Sequence, residues 1–121
     1  MANCEFPTST QFAQTDHRSY NRDGQQFNVG ETFAGLRFEK GVELAEALRP
    51  MVPAGLTMAQ MALRWCLDFE AVSTVIPGAK SPGQARENAA VSDLRGLSDD
   101  LHERLRTFYL DRVATHIRGP Y

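Results

Sequence analysis

Val72-Ser73-Thr74-Val75-Ile76-Pro77-Gly78-Ala79-Lys80-Ser81-Pro82-Gly83-Gln84-Ala85-Arg86-Glu87-Asn88 is the stretch on which the reading of this chain turns. Its β-branched opening, Val72 to Ile76, predicts a short strand, and Pro77-Gly78 breaks it. A loop carrying Lys80 follows, and Ser81-Pro82 opens a helix. Ser81 is a good N-cap, and Pro82 fits the first helical position, where its missing N–H is harmless. Gln84, at the third helical position, can complete a capping box. Free amides at such a start, together with the helix dipole and a neighbouring lysine, predict a phosphate site. The competing reading is a helix start with no ligand, since helix starts of this kind are common.

The chain has 121 residues, 42% of them hydrophobic, enough for one domain and a modest core. A complete (β/α)8 barrel needs about 250 residues. The formal net charge is -2 with both signs interspersed, so no broad basic field points to nucleic acid. Cys4 and Cys66 are the only cysteines and lie in unlike settings, which argues against a disulfide framework and for a reducing compartment. No signal-peptide-like apolar run opens the chain, and nothing approaches the ~18 consecutive apolar residues of a membrane span. These features predict a cytoplasmic chain with neither a nucleic-acid nor a membrane partner.

Residues 1–33 are rich in polar residues and glycine, and Phe6, Phe12, Tyr20, Phe27 and Phe33 follow no regular period. They read as an irregular N-terminal arm, with 34–121 as the helical body. In the arm, Asp16-His17-Arg18-Ser19-Tyr20-Asn21-Arg22 reads as a solvated loop with Asp–Arg pairing and a tyrosine anchor. A single histidine without further ligands does not make a metal site.

From Phe33 to Leu48, the positions of Phe38, Val42, Ala45 and Leu48 predict an amphipathic helix, with Gly41 inside it and Pro50 beyond its end. Thr57 with Gln60 predicts a capping box for a second helix, whose stripe of Met58, Met61, Ala62, Trp65 and Cys66 reads as core. Arg64 pairs with Asp68 at i, i+4 on this reading. After Gly96, Ser98 caps a last helix over about Asp99 to Ala114, with Asp99 and Asp100 favoured by the dipole and Leu101, Leu105, Phe108 and Tyr109 inward. His102 and His116 have no evident partners and read as exposed.

Ile76-Pro77-Gly78, Gln84 and Glu87-Asn88 resemble the cofactor loop of the aldo-keto reductase family, and Phe12-Ala13-Gln14-Thr15-Asp16-His17-Arg18 is similar to a loop of one bacterial branch of it. The resemblance runs from about Phe12 to Val113 and matches the last third of the family's (β/α)8 TIM barrel. It implies a barrel fragment of about four helices with one short strand and a long N-terminal loop. It also implies an NADP(H) cofactor, with Gly78, Ala79 and Lys80 lining the 2′-phosphate, Gln84 in a phosphate-binding position, and Glu87 and Asn88 at the adenine end. Gly83 departs from the bulkier residue usual there. The family's catalytic tetrad of Tyr, Lys, Asp and His belongs to its first half, so no catalytic or metal residue carries over.

A lone strand poses a physical difficulty, because each backbone group buried without a partner costs about 1 to 3 kcal/mol. Val72 to Ile76 must therefore pair with another chain, pair with an N-terminal segment, or meet water. The expectation is a C-terminal fragment of an NADP(H)-dependent reductase, lacking the tetrad and inactive alone. Its partners are then further copies of itself or a missing N-terminal barrel portion. The alternatives are a weak nucleotide-binding module and an oligomerising structural module.

Overall fold

A computed structural model describes residues 7–23 and 35–117. Four α-helices appear in order: α1 (Phe38–Leu48), α2 (Met58–Leu67), α3 (Pro82–Ala90) and α4 (Asp99–Phe108). Single 3-10 turns add His17–Ser19, Arg49–Met51, Val91–Asp93 and Ala114–His116, and a wider π-type turn spans Tyr109–Val113. Cys4, Phe6, Phe27 and Phe33 lie outside the described residues. The chain divides into two compact units, residues 1–49 with 106–121, and residues 50–105.

In the first unit, α1 starts at Phe38, later than its apolar spacing suggests. Arg37 stands at its N-cap position without a side-chain cap bond. The cap comes instead from Asp23, whose Oδ1 accepts from the Phe38 N–H at 3.0 Å. An orphan amide at a helix start needs some acceptor, and here a residue far upstream supplies it. Phe38 and Leu44 are the buried residues of α1. Phe12 meets Phe38 edge-on at 5.5 Å, and the Arg22 guanidinium stacks 4.4 Å from the Phe38 ring centre. The Asp16–Arg18 pair forms as expected, with Arg18 Nε donating to Asp16 Oδ1 at 2.9 Å. Tyr20 is 55% exposed.

In the second unit, Thr57 and Gln60 form the complete capping box: Thr57 Oγ1 accepts from the Gln60 N–H and Gln60 Oε1 from the Thr57 N–H. Pro53 to Leu56 turns into it through Gly55 at φ 86, a left-handed position suited to glycine. α2 packs on α3 and on the Val91–Asp93 turn. Met61, Val91 and Leu101 are buried.

Asp68, at the C-cap of α2, ties this unit together. Oδ1 accepts from Arg64 Nε at 2.9 Å, and Oδ2 lies 2.9 Å from both the Leu97 N–H and His102 Nε2. Arg64 NH1 also donates to the Leu94 carbonyl. Ser98 Oγ accepts from the Leu101 N–H and so caps α4. The Asp68 side chain is only 11% exposed. Burial by itself pushes its pKa up, but the hydrogen bonds from His102, Leu97 and Arg64 outweigh burial and hold it below the usual carboxylate value. A Cβ at Gly96 would stand 3.1 Å from Asp68 Oδ1, so the loop reaches this carboxylate because residue 96 has no side chain.

Three expectations are corrected. Val72 to Ile76 is not a strand: no strand occurs among the described residues, and residues 72–79 are irregular. A ladder needs a second strand, and the described residues offer none. Ser73, Thr74 and Ile76 are exposed. His102 is not a free surface histidine, since it binds Asp68 and meets the Phe69 ring edge-on at 5.8 Å. The α2 stripe is core only at Met61. Trp65 is 38% exposed and packs edge-on against Phe69, itself 44% exposed. Likewise Tyr109 is 36% exposed, while Leu101 and Phe108 are buried.

Two outcomes follow from the Asp68 cluster. Because its folded pKa is depressed, its contribution is fully present above the unfolded value of about 3.9 and is lost as pH falls through the folded value. Urea midpoints measured from pH 6 down to pH 2 should fall steeply in the native chain and less in Asp68→Asn, which should lose about 1 to 3 kcal/mol at neutral pH. Gly96→Ala should be destabilising by a similar amount in the same assay, through crowding of the carboxylate.

Candidate functional site

The loop before α3 is shaped by the residues that the sequence singled out. Ser81 caps the helix in extended backbone, its Oγ accepting from the Gln84 N–H at 3.2 Å, and Pro82 takes the first helical position. The Gln84 side chain does not close the expected box on Ser81. Its Oε1 accepts from the Lys80 N–H at 2.7 Å, one residue earlier. One turn on, Asn88 Nδ2 donates to the Gly78 carbonyl at 3.2 Å. Two side chains at i and i+4 on α3 thus staple the loop from Gly78 to Lys80 onto the helix.

All six expected site residues fall on this loop and helix. Gly78, Ala79, Lys80 and Glu87 are exposed, and Gln84 and Asn88 are half-buried. The Glu87 side chain makes no hydrogen bond or ion pair among the described residues. The Lys80 backbone adjoins the Gln84 side chain across the helix start. The staples use the Gln84 oxygen and one Asn88 N–H, which leaves the Gln84 NH₂ as a donor and the Asn88 oxygen as an acceptor.

Beside the loop runs a groove of about 390 Å³. Leu63 and Leu67 of α2, Val75 and Pro77 of the irregular segment, and Ala85 and Ala89 of α3 give it apolar walls, and Ala79 and Asn88 belong to both groove and loop. Its volume is within the range of small-ligand sites. Leu63 and Leu67 escape a sequence reading because they flank the Met61 stripe, and only the packing of α3 on α2 reveals them as walls. No cluster of three His, Cys, Asp or Glu side chains able to hold a metal occurs among the described residues. No helix among them is long and apolar enough to cross a membrane.

The Aldo/keto reductase family model matches residues 7–113, nearly the whole chain. The chain belongs to the aldo/keto reductase family. No curated protein and no solved structure matches it. The family match spans the Asp16–Arg18 loop, all four helices and the stapled loop, and it places the chain among oxidoreductase-family sequences.

Ser81→Ala should cost about 1 kcal/mol of stability by leaving the Gln84 amide uncapped, readable by urea denaturation. Gln84→Ala should leave the helix in place but speed hydrogen exchange at the Lys80 amide several-fold, since the bond removed is worth about 1 kcal/mol.

Proposed function

We propose that this sequence is the C-terminal part of an NADP(H)-dependent aldo/keto reductase, corresponding to the last third of the (β/α)8 barrel. In this reading it carries the loop for the adenosine and 2′-phosphate end of the cofactor and lacks the catalytic tetrad, so the 121-residue chain alone reduces no carbonyl. The observation that carries it is the double staple, Lys80 N–H to Gln84 and Asn88 to the Gly78 carbonyl, within the span of the family match.

The residues fit a phosphorylated adenosine chemically. Lys80 supplies a compact cation beside a helix N-terminus, and the Gln84 NH₂ adds a donor. The Gly78 to Lys80 loop is held by its staples before any ligand arrives, which lowers the ordering cost of binding. Asn88, with an unused oxygen, and Glu87, with an exposed carboxylate, are acceptors for an exocyclic amine. NADP(H) supplies the hydride chemistry when bound; these side chains bind and orient its distal end.

Titration of NADPH fluorescence should show saturable binding by the isolated chain. Lys80→Ala should weaken it about tenfold or more, since a charge-assisted bond is worth about 1.5 to 3 kcal/mol, and Gln84→Ala should weaken it less. NADH, without the 2′-phosphate, should bind the native chain more weakly and be indifferent to Lys80→Ala. NADPH-dependent turnover of an aldehyde by the pure chain would refute the catalytic half of this reading, and absence of saturable binding would refute the other half.

A further inference from the structure

The segment from Ser73 to Pro77 has no backbone hydrogen bond among the described residues. Val72, just before it, donates its N–H to the Phe69 carbonyl at 2.9 Å. Ser73, Thr74, Val75 and Pro77 line the groove, Val75 and Pro77 half-buried and Ser73 and Thr74 exposed, whereas Ile76 does not line it. Ile76 is 86% exposed, a β-branched apolar side chain with no cover. A row of unpaired donors and acceptors is a template for another strand.

We propose that this segment pairs with its own twin from a second copy of the chain, antiparallel about a two-fold axis through Thr74. That register places Ile76 of each copy opposite Val72 of the other, an apolar cross-strand pair that covers the exposed side chain. Thr74 and Ile76 donate, and Thr74 and Val72 accept, so the Val72 N–H already bound to Phe69 is not required. Pro77, which has no N–H, falls at a position that makes no ladder bond. The ends of the segment are oppositely charged, Glu70 before it and Lys80 after it. An antiparallel twin brings unlike ends together, whereas a parallel one brings like ends together. The contact is isologous, the same segment meeting itself across the axis. It is independent of the nucleotide reading.

Sedimentation from low to high micromolar concentration tests the contact. The native chain should pass from monomer to dimer, and Thr74→Pro, which removes a central donor, should raise the dimer dissociation constant about tenfold or more. A register test guards against misfolding of that variant: on mild oxidation, mixed Val72→Cys and Ile76→Cys chains should form a disulfide between the two species, with the native chain as control for Cys4 and Cys66. A monomer at every concentration overturns the proposal, as does a dimer unaffected by Thr74→Pro. Ile76→Cys chains that link to one another as readily as to Val72→Cys chains overturn the register. NADPH titration, whichever way it comes out, leaves these outcomes unchanged.

Discussion

The Asp68 carboxylate is the constraint on which the second unit depends. One half-buried anion receives the guanidinium of its own helix, the amide of Leu97 and the imidazole of His102. The carboxylate, largely removed from water, would be costly to bury there without them. Its satisfaction therefore fixes where the loop after Asp93 runs and where α4 starts. Gly96 is the steric condition for that approach. Around the same cluster Met61, Val91 and Leu101 are buried, and α3 leans on α2 with the candidate loop at its head.

At that loop, side chains that resemble ligand-binding residues also hold the backbone. Gln84 and Asn88 spend part of their hydrogen-bonding capacity on Lys80 and Gly78, and what is left faces outward as donor and acceptor. The loop fixed in this way carries Lys80 immediately before the helix N-cap Ser81. The apolar groove alongside, bounded by Leu63, Leu67 and Val75, adds surface that a flat aromatic ring can cover.

Features encoded over three or four residues were legible in the sequence. The Thr57–Gln60 box, the Ser81 and Ser98 caps, the Arg64–Asp68 pair and the Asp16–Arg18 pair all stand where their spacing puts them. The six expected site residues share one loop and helix because they are neighbours in the chain. Trp65 was misjudged because an apolar stripe says which face seeks cover but not whether cover exists. Leu44 and Val91 escape notice because neither stands out in a periodic pattern, and Asn21, read as part of a solvated loop, is instead fully buried.

By itself, then, the sequence determined where helices start and stop, which side chains pair within a turn, and the family to which the loop belongs, because each is written in neighbouring residues. Only the tertiary structure decided the rest. Asp23 caps α1 from 15 residues upstream, His102 and Leu97 meet Asp68 across more than two dozen residues, and Ser73 to Pro77 finds no backbone hydrogen-bond partner among the described residues. Those outcomes depend on whether a distant partner is present in space, and no local spacing carries that information.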